Sequence, residues 1–306
     1  MTLLSNAAHR RVLIVGRGLI GGAVADVLRK AGRAVVTVAI GPAPHPHHLS
    51  CDLRTGSGRA ELADLVRRLR PERVVLAHGP SDAAWVEHHE REAEAAHHGV
   101  AALFAGLGVP TVLVSTDDVF DGGEGFRLPA DDIAPRNAYG RLKAKAEWEL
   151  LTGRHLVLRV GEVYGWTSVR RATYGRRCLE AAYRGQVLAA PIDQSFTPVY
   201  IEDVAEVVAG LCQAPELLTG IAHLAGPEEL SRFDFAVDAY RLAGADPGLV
   251  RPCLRRDTEW ASHPRYSSLA NGDFRDVSGL ERWSPIMPAM GLLSMVRGEP
   301  EQEMAA

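Results

Sequence analysis

Tyr139 and Lys143 stand four residues apart in a stretch of helical periodicity, which puts a phenol and an ammonium on one helix face. A lysine charge at that spacing lowers the phenol pKa from its ordinary value of about 10 and readies it to protonate a carbonyl oxygen. Upstream, Ser115 and Thr116 close an apolar run, so two hydroxyls fall at the end of a strand. Near the N-terminus, Gly16-Arg17-Gly18-Leu19-Ile20-Gly21 follows a β-rich run and opens an amphipathic one. Small residues in that strand-to-helix turn let the backbone approach a pyrophosphate at the positive end of the helix. The combination points to nicotinamide-dependent carbonyl chemistry.

Such groups need a rigid frame. Short β-rich runs at 12–15, 34–40, 74–77, 111–115 and 155–160 alternate with helix-length stretches at 20–31, 58–70, 82–107 and 138–151, with Gly32 and Gly108 as helix stops. That alternation predicts an α/β, Rossmann-type doubly wound parallel sheet. After Gly165 the pattern loosens into an Arg-rich helix over 170–184, a strand-like 186–190, a Pro-bounded connector, a helix from Glu202 and a Pro-rich tail whose end, 298–306, is polar enough to fray. The expected organisation is a dinucleotide-binding domain over 1–165 with a return segment at about 198–225. A smaller interleaved C-terminal substrate lobe would take 166–197 and 226–306.

Composition narrows the function classes. The 306 residues are 46% hydrophobic and 24% charged, as expected of a globular protein with a large core. A net charge of −4 gives no electrostatic reason to expect nucleic acid or an anionic membrane surface. Cys51, Cys178, Cys212 and Cys253 are scattered without Cys-x-x-Cys spacing, so neither a zinc site nor a disulfide framework is expected. The first ten residues run straight into the strand at 11–16, too briefly for a signal peptide or membrane span. A cytoplasmic location is the expectation.

The cofactor is read from the second strand. An NAD site places Asp or Glu there for the ribose 2′-hydroxyl, but this strand ends Val38-Ala39-Ile40-Gly41. Arg17, with His45, His47 and His48 nearby in sequence, suits a 2′-phosphate instead, so NADPH is expected, with NADH as the alternative donor. Asp52 and Leu53, after the third strand, are placed to contact the adenine.

Two longer stretches carry a family resemblance. Residues 112–122, Val-Leu-Val-Ser-Thr-Asp-Asp-Val-Phe-Asp-Gly, and 135–147, with Tyr139-Gly140, Lys143 and Glu147, resemble the extended short-chain dehydrogenase/reductases, and within them the dTDP-4-dehydrorhamnose reductase-like branch of sugar-nucleotide 4-ketoreductases. Val163-Tyr164-Gly165, Asp193-Gln194, Pro198 and Asp203-Val204-Ala205 extend the likeness to about residue 210, and 265–271 carries it faintly further. The resemblance implies that Tyr139 donates a proton to a ketone, that Lys143 holds the ribose and tunes the phenol, and that Thr116 hydrogen-bonds the carbonyl oxygen. It implies Ala77, His78, Gly79 and Ser115 beside the cofactor, and Asp117, Asp118, Glu162, Val163, Arg170, Gln194 and Arg265 beside the substrate. A homodimer through helices near Tyr139 is the assembly it suggests.

Departures from the branch set the alternatives. The glycine turn is one residue short, Asp118 stands where the branch has Tyr, Glu162 stands where it has an aromatic, and the segment after Gln194 lacks its usual glycine. Asp117-Asp118 also resembles the Asp-Glu pair of nucleotide-sugar dehydratases and epimerases. A further alternative is a non-catalytic NADP-binding subunit resembling the regulatory β-subunit of methionine adenosyltransferase. The reading preferred here is NADPH-dependent reduction of a ketone on a nucleotide-linked 4-keto-6-deoxysugar. No metal is expected, since nothing in the spacing of Asp117 and Glu124 demands one. His88-His89 and His97-His98 are expected on a solvated helix face. Arg170, Arg171, Arg176 and Arg177 are expected either to grip a nucleotide diphosphate or to be solvated.

Overall fold

Residues 11–15, Arg-Val-Leu-Ile-Val, show no polar alternation, the pattern of a strand covered on both faces. In the computed structural model, which describes residues 11–41, 46–165, 173–272 and positions 274, 284, 286 and 289, that run is an interior strand of a seven-stranded parallel sheet. In chain order the strands are β1 (Arg11–Val15), β2 (Ala34–Ala39), β3 (His48–Ser50), β4 (Arg73–Leu76), β5 (Thr111–Thr116), β6 (Leu156–Val160), β7 (Val163–Tyr164), β8 (Leu188–Pro191), β9 (Ser195–Phe196), β10 (Val199–Tyr200), β11 (Gly220–Leu224), β12 (Leu230–Ser231) and β13 (Val250–Cys253). The helices are α1 (Leu19–Lys30), α2 (Gly56–Leu69), α3 (Ala83–His88), α4 (Glu90–Leu107), α5 (Ala138–Leu150), α6 (Tyr174–Tyr183), α7 (Ile201–Gln213) and α8 (Arg232–Leu242).

The large sheet runs β3-β2-β1-β4-β5-β6-β11, with Leu13 opposite Val36 on one side and Val74 on the other. Strand order reverses between β1 and β4, and a crevice for ligands opens there at the carboxyl ends of the strands. Alternate residues pack on the two faces of the sheet, as the period of two requires. Val12, Ile14, Val75, Val112 and Leu158 pack under α1 and α7, while Leu13, Val15, Val74, Leu76 and Val157 pack under α2, α4 and α5. The α/β doubly wound expectation holds.

A second core lies beyond the sheet. Tyr174, Cys178 and Leu179 of α6 meet Phe235, Ala239 and Tyr240 of α8, with Phe196 and Val250 from short strands. The parallel pairs β8–β13 and β7–β10 and the antiparallel pair β9–β12 edge this lobe. No helix among the described residues is long and apolar enough to cross a membrane.

Two expectations need correcting. The helix predicted over 82–107 is two helices, because His89 leaves the helical region (φ −131, ψ 37). The break turns α3 toward α5, where the Glu87 carboxylate accepts the Ala138 amide at 2.6 Å. The region after α7, read only as a Pro-rich tail, holds β11, β12, α8 and β13. Its strands are short, and α8 carries Arg232, Asp234, Asp238 and Arg241, so neither periodicity stands out.

Candidate active site

The glycine turn divides by function. Gly16 has φ +102, and a Cβ there would stand 2.2 Å from the Ala77 carbonyl oxygen. At Gly21 a Cβ would stand 2.1 Å from the Gly16 carbonyl oxygen, so the packing of the turn requires both. Gly18 is different. Nothing lies within 4 Å of where its Cβ would be, and as the N-cap of α1 it offers no side-chain hydrogen bond. The first-turn amides of α1 therefore keep their donors for an anion, and the empty space beside Gly18 is a cradle that a side chain would fill. Arg17 sits half-buried within the turn.

At the end of β5 the chain turns into a single 3₁₀ turn, Asp117–Val119. Thr116 caps it, accepting the Asp118 amide at 3.2 Å and donating to Asp117 Oδ1 at 3.1 Å. Burial, with the Asp118 carboxylate next to it, pushes the Asp117 carboxyl up to about 7, against hydrogen bonds from Ser267 and Thr116. Asp118 is buried and accepts from Asn137 Nδ2 at 3.2 Å and from His263 Nδ1 at 3.1 Å.

Asn137 also builds α5. Its side chain caps α5 by accepting the Gly140 amide at 2.7 Å, an interaction worth about 1 kcal/mol, and so fixes the helix start two residues before Tyr139. One turn on, Lys143 is buried and donates from Nζ to the Val114 carbonyl at 2.6 Å. Burial lowers its pKa to about 8, offset by the Glu147 carboxylate. Glu147 forms an ion pair with Arg159 at 2.8 Å, the two side chains only 2% and 3% exposed, and also accepts from Ser115 Oγ. Ser115 thus ties β5 to α5, although it also borders the cleft.

Two histidines stand behind the tyrosine. His97 is 3% exposed, gives Nε2 to the Pro80 carbonyl at 2.8 Å and sets its ring edge-on to Tyr139 at 5.7 Å. This corrects the solvated-face reading, which holds for the exposed His88 and His89 but not for His97, nor for the half-buried His98 paired with Glu149 at 2.8 Å. The face of α4 that packs on α5 decides the burial, and local sequence does not report it. His78 hydrogen-bonds the Ala96 carbonyl at 2.8 Å, and burial lowers its pKa to about 4. Its buried Nδ1 has no hydrogen-bond partner among the described residues.

The opposite wall comes from the second lobe. Arg232, at the start of α8, donates to Gln194 Oε1 at 2.7 Å and to the Glu162 carboxylate, with its guanidinium 3.4 Å over the Trp260 ring centre. Arg177 pairs with Glu259 at 2.7 Å, while Arg176 turns away to Glu180 at 2.8 Å. Arg255 straps the following loop from inside, its Nη1 donating to the carbonyls of Trp260 at 3.3 Å, of Ala261, and of His263 at 2.8 Å.

These walls enclose a cleft of about 660 Å³. Of the residues predicted for the site, Gly18, Leu19, Ile20, Ala77, His78, Gly79, Ser115, Thr116, Asp117, Asp118, Tyr139, Lys143, Glu162, Val163 and Gln194 border it. Gly16, Arg17 and Gly21 shape the turn without lining the cleft. Asp52 lies off it with its carboxylate held by Arg54 at 2.8 Å, and Leu53 is in the core under the sheet. Arg265 is exposed and lies over the Tyr266 ring, 5.1 Å from its centre. Arg170, Arg171 and His45 fall outside the described residues. Sequence reading missed Tyr174, Arg232, Trp260, His263 and Ser267, which come from segments that only the fold brings together. For Trp260, His263 and Ser267 the available signal was that they lie in or just before 265–271; Tyr174 and Arg232 had none.

Asp117 gives a pH prediction. The folded chain keeps on this carboxyl, titrating at about 7 rather than 3.8, a proton that the unfolded chain releases earlier. Its contribution to stability therefore falls as pH rises from about 4 to about 7. Asp117→Asn is expected to lessen that fall, seen as a smaller drop in Tm across the window than in the unaltered protein. Equal drops would mean that Asp117 titrates normally.

A family model described as the RmlD substrate-binding domain matches residues 10–290. The chain belongs to that family. Its relatives include a probable dTDP-4,6-dihydroxy-2-methyloxan-3-one 4-ketoreductase of Streptomyces antibioticus, 35% identical over 54% of this RmlD-family chain and 56% of that protein. The match thus spans little more than half the length of that relative. A dTDP-4-keto-6-deoxy-D-glucose reductase of Streptomyces niveus is 29% identical over 72% of this chain and 82% of that protein. Among solved structures, a dTDP-4-dehydrorhamnose reductase from Bacillus anthracis in complex with NADP has a TM-score of 0.77 and 18% identity, covering 94% of this RmlD-family chain and 99% of that one.

Proposed function

We propose that this protein is an NADPH-dependent oxidoreductase that reduces the ketone of a nucleotide-linked 4-keto-6-deoxysugar. The observation that carries the reading is that Thr116, Tyr139 and Lys143 border one cleft with the open glycine turn at Gly18. Relatives named as 4-ketoreductases and 4-keto-6-deoxysugar reductases support the substrate class.

The turn at Gly18 and the first amides of α1 would hold a pyrophosphate, with Arg17 beside a 2′-phosphate and His78, Gly79 and Lys143 along the sugar. Bound there, NADPH supplies the hydride. Tyr139 gives its phenolic proton to the substrate oxygen as that oxygen gains charge. Lys143, protonated below about 8, stabilises the phenolate that remains. Thr116 would turn its hydroxyl from Asp117 to the substrate oxygen and so stabilise the developing oxyanion. In this reading residues 1–165 with 198–225 serve the cofactor, 166–197 with 226–306 serve the substrate, and the enzyme works in the cytoplasm as a homodimer. Asp118 is engaged by Asn137 and His263, which does not favour it as the free acid of a dehydratase.

The test follows NADPH absorbance with dTDP-4-keto-6-deoxyglucose as substrate, with NADH in a parallel run. Turnover with preference for NADPH is the expected result. Tight NADPH binding without turnover of this or related ketosugars would overturn the reading.

A further inference from the structure

His263 lies in the loop that Arg255 straps across the second lobe, outside every residue assigned a role above. Its Nδ1 is committed to the Asp118 carboxylate at 3.1 Å, and Asp118 is itself held by Asn137 at 3.2 Å. Asn137 also donates to the carbonyl of Ser262 at 3.3 Å, so one amide fixes both the carboxylate and the loop. Trp260 backs the imidazole at 5.1 Å. The ring therefore has a set orientation. Its side chain is 20% exposed, it borders the cleft, and Nε2 has no hydrogen-bond partner among the described residues.

We propose that His263 is a further substrate-contacting residue, which donates from Nε2–H to a neutral oxygen of the hexose, a hydroxyl or ring oxygen, on the lobe side of the cleft. This rests on the sugar-nucleotide reading above and names a residue that selects the sugar. A neutral oxygen fits better than a phosphate because the carboxylates of Asp117, Asp118 and Glu162 border the same part of the cleft, and only Asp118 and Glu162 have cationic partners, His263 and Arg232. A second anion there would crowd carboxylates whose charges, with burial, already push the Asp117 carboxyl up to about 7.

The arrangement makes the contact depend on proton number. With Nδ1–H held by Asp118, only the protonated ring has a second N–H to offer, since the neutral ring presents a lone pair at Nε2. The charged groups facing the imidazole are Asp118 after β5, Glu162 after β6 and Arg232 of α8. Burial and Arg232 work against the charge, but the Asp118 carboxylate prevails and holds His263 above its ordinary 6.5. The donor is lost as pH rises through that titration.

The test compares binding of dTDP-glucose and of dTDP, by calorimetry, to the intact protein and to H263A and H263Q across pH, with NADPH affinity as the check on folding. In the unaltered protein the gain in affinity due to the glucose is expected to shrink with rising pH. H263A should lose roughly tenfold of that gain, as for a hydrogen bond from a charged donor, and leave dTDP and NADPH binding unchanged. H263Q, which keeps an N–H donor without a titrating group, should retain much of the gain and flatten its pH dependence. An unchanged gain in H263A, an equal loss for dTDP and dTDP-glucose, or a gain in H263Q that varies with pH as steeply as in the unaltered protein would overturn this proposal alone. Failure of the unaltered protein to bind either nucleotide would overturn it together with the proposed function.

Discussion

Tyr139→Phe is expected to lower kcat for ketosugar reduction by roughly 10²–10⁴-fold while NADPH affinity stays the same. The change removes one hydroxyl and keeps the ring, so the edge contact with His97 and the cap by Asn137 both persist. His78 and His97 are both held neutral by burial, and Lys143 is the cation on the same helix face. On the proposed function the phenol is then the proton source. Steady-state kinetics on both proteins settle the matter, and a variant within tenfold of the original would mean that the proton comes from another group.

Arg159→Met should be the most damaging change to stability. It leaves Glu147, 2% exposed, with the Ser115 hydroxyl as its hydrogen-bond donor and Lys143 as the nearby cation, at a cost of about 3–5 kcal/mol. A drop in Tm on the order of 10 °C follows for a chain of this size. Arg159 also donates to the Pro129 carbonyl at 3.3 Å and lies 5.1 Å from the centre of the Phe120 ring, so the loss reaches past the ion pair. Replacing Glu147 with Leu in the same protein should restore much of the stability, because an apolar pair needs no counter-charge. Thermal melts of the single and double variants test this. A double variant as unstable as Arg159→Met would place the cost in packing. Activity should not return with stability, since Lys143 loses the carboxylate that helps keep it charged.

What could be read in advance follows from how local each signal is. Strands buried on both faces must be continuous apolar runs, so β1, β2, β4, β5 and β6 stand out in the sequence, and the helices between them follow from periodicity and glycine stops. Tyr139, Lys143 and Thr116 were legible for the same reason, since Thr116 ends a strand and the other two lie one turn apart in the first half of a helix. The second lobe offers no comparable regularity. Its wall is assembled from α6, the start of α8 and a strapped loop, far apart in sequence, and Trp260 and His263 acquire meaning only beside Arg232 and Asp118. Asp52 has the type and position expected for a cofactor contact, but it stands off the cleft with its carboxylate paired to Arg54 two residues on.

The pairing of β6 with β11 also constrains how the chain comes into being. Leu156 lies beside Gly220, and α6 and β8 to β10 are threaded between them in the chain, while α8 and β13, which complete the second core, follow β11. During synthesis the sheet therefore waits with an open edge at β6, an exposed template for mispairing, until much of the other lobe has left the ribosome. Neither lobe can be finished first and the other added later. Closing this loop belongs to the slow, non-local part of folding, and it makes the joining of the two walls of the cleft a condition for completing the sheet.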